Sequence, residues 1–217
     1  MAATNVSDSG LFLVLDGTEG SGKSTQARRL ADRLEAEGSP PVLTRDPGTT
    51  GVGEKVRAIL LDPAMGDMAM RCEMLLYMAA RAQMMSQIIL PALSAGKIVI
   101  CDRFVSSTLA YQLSGDGLTA AEIRQVGEVA IRGRWPDLTV LLDMPADKSL
   151  ARVKGPKDRI EQRSLAYHQQ VREKYLQQAK EDPQRFRVVS ADRPIDAVAA
   201  DVWSAVGETV AKWKGRK

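Results

Sequence analysis

The chain of 217 residues contains one histidine and two cysteines. Two thiols are too few for a disulfide framework, and Cys72 and Cys101 match no zinc-site spacing. Cys72 falls on a predicted helix and Cys101 ends a predicted strand, so both are expected to be small core residues and not catalytic thiols. His168 stands among glutamines on a helix expected to be exposed, and no role is expected of it. No apolar run approaches the roughly 20 residues of a membrane-crossing helix. Neither sign of charge dominates. Thirty basic residues against 27 acidic leave a formal +3, which does not suggest a nucleic-acid partner. The basic end from Lys212 to Lys217 reads as a solvated tail. Met1 to Gly10 is polar and lacks an apolar core, so it is expected to be a flexible leader and not a signal peptide. The cytoplasm is the expected compartment. An Asn/Thr-Lys-x-Asp guanine motif is also missing, which counts against a GTP-dependent switch.

What the chain does have is Gly17-Thr18-Glu19-Gly20-Ser21-Gly22-Lys23-Ser24. This fits G-x-x-x-x-G-K-[ST] at every fixed position. The context fits as well. Leu11 to Leu15 is a short apolar run expected as a buried parallel strand. From Thr25 to Glu37, Ala27, Leu30, Ala31 and Leu34 share one helical face. Glycines let backbone N–H groups turn toward phosphate oxygens, and the helix N-terminus adds partial positive charge. Lys23 is expected at the β- and γ-phosphates of a nucleotide, and Ser24 on a Mg2+ ion.

The rest alternates strand and helix. Strands are expected at 42–44, 97–101, 138–142 and 186–189. Helices are expected at 53–61, 70–95, 120–132, from 146 to about 153, at 160–180 and from 194 to about 212. Such alternation predicts an α/β fold: a five-stranded parallel sheet with helices on both faces, spanning 11–213 as one unit. Ligands of these sheets sit at the carboxyl ends of the strands, where the polar motifs fall.

Asp102 closes the third strand, beside the loop. A carboxylate there can hold Mg2+ directly or through water, and Arg103 next to it can face a phosphate. On the long helix, Met70, Met74, Tyr77, Arg81 and Met84 share a face. Seven of the nine methionines lie between Met65 and Met85, and most are expected to pack. Arg81 is different, because a guanidinium on an apolar face costs free energy unless it is paired. A planar polar ligand, with Tyr77 stacking on it, could be that partner. Thr108, Tyr111 and Gln112 can share a helical face beside Arg103. Arg152, Lys154, Lys157 and Arg159 surround Gly155-Pro156 between two helices. They read as a lid, about 152–159, that carries cations to transferring phosphates.

Together these residues resemble the thymidylate kinases of the nucleoside monophosphate kinase group. The resemblance runs from Leu11 to about Lys212. It is carried by the phosphate loop, Arg45-Asp46-Pro47-Gly48, Ala79-Ala80-Arg81, Asp102-Arg103, Ala110-Tyr111-Gln112, Pro136 to Thr139 and Asp158-Arg159-Ile160-Glu161. It implies ATP- and Mg2+-dependent phosphorylation of dTMP to dTDP by a homodimer. Residues Gly17 to Thr25 would hold ATP, including Thr18, Gly20, Ser21 and Gly22. Glu19 would face the deoxyribose 3′-OH, and Arg57 and Arg103 the acceptor phosphate. Asp46 falls in the acceptor site. Tyr77 would stack on thymine, Arg81, Thr108 and Gln112 would read its edge, and Tyr111 would crowd the 2′ position. Lys154 and Arg159 would belong to the lid. Asp46, Thr49 and Tyr77 stand where the family more often has Glu, Gly and Phe. Eukaryotic-type members carry arginine at the position of Gly20, so here the lid is expected to supply the catalytic cations. Two rivals stay open: another nucleotide or nucleoside kinase of this fold, and a nucleotide-binding regulator without turnover.

Overall fold

Strand β1, Leu11–Gly17, is buried at every position and lies at the centre of the sheet. The computed structural model describes residues 9–216 except Ser114 and Asp116. Four further strands are β2 (Val42–Arg45), β3 (Ile98–Asp102), β4 (Leu138–Asp143) and β5 (Phe186–Ser190). All pairings are parallel, in the order β2-β3-β1-β4-β5. Side chains alternate across a strand, so β1 feeds two cores. Leu11, Leu13 and Leu15 pack against helices α1 (Lys23–Ala36) and α9 (Ile195–Lys214). Phe12 and Val14 pack on the other face, against α3 (Met70–Met84), α5 (Val105–Tyr111) and α6 (Ala120–Ile131). The remaining helices are α2 (Gly51–Leu61), α4 (Leu90–Ser94), α7 (Ala146–Ala151) and α8 (Leu165–Glu181).

Several expected boundaries move, each for a local reason. The helix expected over 70–95 is interrupted by a widened π turn, Met85–Ile89. Pro91 follows two residues after its end; it has no N–H to donate and its ring crowds the preceding turn. The helix expected from 160 starts at Leu165. Asp158 instead accepts the backbone N–H groups of Ile160 and Glu161, and Ser164 caps α8 through the N–H of Tyr167. Of the expected leader, residues 1–8 lie outside the described residues. Ser9 and Gly10 are anchored, since the Trp213 indole donates to the Ser9 carbonyl and Gly10 is buried against Leu93. The expected tail is likewise corrected up to Lys214. Trp213 is buried in the core as the last turns of α9, while Lys217 lies outside the described residues. Cys101 is buried as expected, but Cys72 is exposed, because α3 turns that side outward with Arg71 and Leu75.

Candidate active site

The carboxyl ends of β1, β2 and β3 meet in a cavity of about 270 Å³. The phosphate loop forms one wall. At Gly20, φ is +73°, and an added Cβ would sit 1.9 Å from the Ser149 carbonyl oxygen of α7. This backbone contact excludes any side chain, arginine included, unless α7 moves. Lys23 begins α1, is buried, and donates from Nζ to the Thr18 carbonyl at 2.6 Å. Burial first, then repulsion from Arg103, pull its ammonium down to about 8, against the attraction of Asp102, Glu19 and Asp16. Ser24 donates its hydroxyl to Asp102, which bonds the first turn of α1 to the end of β3.

That contact tests the expected Mg2+ site. A hydroxyl and one carboxylate converge beside the loop. Among the described residues, no three His, Cys, Asp or Glu side chains are grouped to hold a metal unaided. This donor set suits a cation that keeps waters and shares phosphate oxygens.

Arg103 stands opposite. Its guanidinium bonds Glu19 at 2.9 Å and the Gly17 carbonyl at 3.0 Å, and lies over the Tyr111 ring. The Tyr111 hydroxyl donates to Glu19 at 2.7 Å. Burial pushes the Glu19 carboxyl up, but Arg103, His168, Lys23 and Tyr111 together outweigh it, leaving it well below the usual carboxylate range. Arg57 lines the same cavity and donates to the Pro47 carbonyl at 3.1 Å. Two arginines therefore flank one space next to the loop.

Arg81 has found its partner within the protein. It is fully buried and bonds Asp46 through Nε at 2.5 Å, and the Phe104 carbonyl and Thr108 hydroxyl at 3.1 Å each. Burial raises the Asp46 carboxyl and Arg81 opposes this. The second Asp46 oxygen has no partner among the described residues. Tyr77, Arg81, Thr108 and Gln112 still line the cavity together.

The two cations expected in the lid have different surroundings. Lys154 is exposed and lines neither cavity. Arg159 is buried, and donates to the Leu60 carbonyl at 2.9 Å and to Glu73, so its guanidinium is directed at α3 and away from the loop. Ser21, Gly22 and Thr25 face a second cavity of about 310 Å³, with Gln26, Arg152, Arg193 and Ile195.

Three buried polar groups escaped the sequence. Asp16, the penultimate residue of β1, accepts the hydroxyls of Ser106 at 2.6 Å, Ser107 at 2.7 Å and Tyr175 at 2.5 Å, pinning α5 and α8 to the sheet. Its place one residue before the loop was the available signal. Glu73 stands four residues before Tyr77 and eight before Arg81, on the same face of α3; that spacing was legible. His168 corrects the expectation of an exposed residue without contacts. It is buried, with Nδ1 3.4 Å from a Glu19 oxygen. No local signal pointed there.

Comparison with known proteins identifies the family. The model of the family described as thymidylate kinase matches residues 15–202. A thymidylate kinase of Syntrophotalea carbinolica is 46% identical over 200 residues, covering 88% of this chain and 93% of that protein. One from Deinococcus radiodurans is 45% identical, covering 92% and 97%. The crystal structure of thymidylate kinase from Ehrlichia chaffeensis superposes with a TM-score of 0.74 at 31% identity, covering 91% of this chain and 98% of that one. With the family model spanning most of its length and relatives this similar over nearly all of theirs, the chain belongs to the thymidylate kinase family.

Proposed function

We propose that this protein transfers the γ-phosphoryl group of ATP to dTMP, giving ADP and dTDP. One observation carries the reading: Arg57 and Arg103 line the same cavity as Lys23 and Ser24, and Tyr77, Arg81 and Gln112 line it with them. An acceptor with a phosphate at one end and a flat base at the other fits this lining. Its phosphate oxygen is already a nucleophile, so the site needs alignment and charge neutralisation more than a base. The loop amides and Lys23 hold the donor phosphates. Ser24 and Asp102 would hold Mg2+, which neutralises phosphate charge when bound. Arg57 and Arg103 direct the acceptor phosphate in line. Glu19, fixed by Arg103 and Tyr111, marks the sugar position. The second cavity, with Arg152 and Arg193, receives the donor's base. The segment 152–158 acts as a lid that brings Lys154 over the phosphates and excludes water.

We also propose a homodimer. Among the described residues, α2 packs on α3 and α3 on α6, and their outer faces expose Val52, Ile59, Leu75 and Val129. No helix of the described residues is long and apolar enough to cross a membrane, and we place the enzyme in the cytoplasm.

The test supplies ATP–Mg2+ with dTMP, dUMP, dCMP, dAMP, dGMP and thymidine. The expected result is dTDP as the main product, with thymidine unused. Faster turnover of thymidine would remove the role of the two arginines. Turnover of none would favour a regulator.

A further inference from the structure

Glu73 lies on α3, is fully buried, and is not among the residues that line the cavity of Lys23 and Arg103. Its carboxyl group gathers three donors. One oxygen accepts from Gln112 Nε2 at 2.7 Å, and the other accepts from Arg163 at 3.0 Å and from Arg159. Both arginines come from the segment between α7 and α8, and Gln112 ends α5. Guanidinium groups can only donate, so the two arginines commit Glu73 to accepting. This orients the Gln112 amide. The end that faces Glu73 is the NH2 group, an assignment fixed by the bonding network. The carbonyl oxygen of Gln112 accepts no hydrogen bond from the described residues, and Gln112 lines the cavity.

We infer that Glu73 is a specificity-setting residue: by holding the Gln112 NH2 group, it makes the cleft present an acceptor oxygen to the base. The inference rests on the proposed reading that the cleft takes a nucleoside monophosphate. Thymine and uracil carry an N–H at ring position 3 and a carbonyl beside it. They offer a donor to Gln112 and an acceptor to the Arg81 guanidinium. Cytosine reverses both groups, with a bare nitrogen at position 3 and an amino group beside it. A bare nitrogen facing a fixed carbonyl oxygen leaves two acceptors opposed and unpaired, which a buried site tolerates poorly. Without Glu73 the amide could rotate and offer its NH2 group to cytosine. Glu73 touches neither substrate, so it acts through Gln112 as a positioning residue. The same carboxylate also ties the far end of the lid to the base end of the cleft.

The test is Glu73→Gln, which keeps the shape but can turn either end of its amide to Gln112. kcat/KM is measured with dTMP, dUMP and dCMP. The dTMP/dCMP ratio should fall roughly tenfold, the factor that one ordinary hydrogen bond supports. The dTMP/dUMP ratio should not change, since both bases present the same groups. In a Gln112→Ala background, Glu73→Gln should leave the dTMP/dCMP ratio where Gln112→Ala alone puts it. If Glu73→Gln does not fold, Glu73→Asp, which keeps the charge but shortens the reach, gives the same readout. An unchanged dTMP/dCMP ratio, an equal fall in both ratios, or a further fall in the Gln112→Ala background would each overturn the inference. A wild-type protein that uses dTMP and dCMP alike would overturn it while leaving phosphoryl transfer standing. A wild-type protein that uses no dTMP would overturn both.

Discussion

The floor of the proposed acceptor cleft and the segment 152–158, the proposed lid, both carry cations, and they hold them differently. On the floor, Arg81 and Arg103 are engaged on several sides by Asp46, Glu19, backbone carbonyls and hydroxyls. In the segment, Lys154 and Lys157 are exposed and make no ion pair among the described residues. A buried charge that loses its partner stays desolvated, whereas an exposed one is returned to water. The floor's arginines thus belong to the fold as well as to the site. The segment's lysines can be committed to a ligand at little cost to stability. Arg159 is adjacent in sequence to the segment but belongs by contact to the floor, through Glu73 and Leu60.

Substitutions should separate the two regions. The largest effect is expected at Lys23, the buried cation of the loop. Lys23→Ala should lower kcat by roughly 10²–10³-fold, the scale set by loss of one preorganised charge-stabilising group. Thermal melts should show a folded protein, and near-normal kcat in it would remove Lys23 from the chemistry.

Arg81→Ala should affect both binding and fold. It strands the buried Asp46, so denaturant unfolding should show a loss of about 3–5 kcal/mol, together with weaker dTMP use. Adding Asp46→Asn should recover part of the stability but not the dTMP affinity. Arg159→Ala decides where that residue belongs. The contacts to Glu73 and Leu60 predict a clear loss of stability. A fall in kcat with unchanged stability would return Arg159 to the lid. Lys154→Ala should lower kcat while stability stays within about 0.5 kcal/mol, as for most surface substitutions.

A smaller effect should appear with pH. Burial and Arg103 pull Lys23 down to about 8, so it is charged below that pH and neutral above it. Phosphate favours the charged form. ATP affinity should be flat below about pH 8, then weaken by up to about tenfold per unit as binding takes up a proton. Calorimetry in two buffers of different ionisation enthalpy should detect that uptake near pH 8. Affinity that is level up to pH 9.5 would contradict the lowered value.

Much of this contrast was written locally in the chain. The loop glycines, Lys23 and Ser24 are contiguous, and each strand's carboxyl end is marked by a polar motif, so the sheet, the loop and most cleft residues were legible. What was not legible depends on partners far away in sequence. The apolar face of α3 marks Arg81 as a cation needing a partner, but that partner, Asp46, follows β2, 35 residues away. His168 is polar and followed by two glutamines, and tertiary packing of α8 buries it beside Glu19. Cys72 failed in the opposite direction, because periodicity defines a helical face without saying which neighbour covers it. The direction of Arg159 was hidden too, since Glu73 is 86 positions away.

On the proposed reading, the acceptor floor is held together by contacts within the protein and the lid, 152–158, is not. Amide hydrogen exchange, with and without dTMP plus a non-hydrolysable ATP analogue, tests it most directly. Residues 152–158 should gain strong protection on binding, while 73–81 on α3 and 105–112 on α5 should be protected already and change little. Equal gains in protection on the floor and in the lid, or gains on the floor alone, would contradict it.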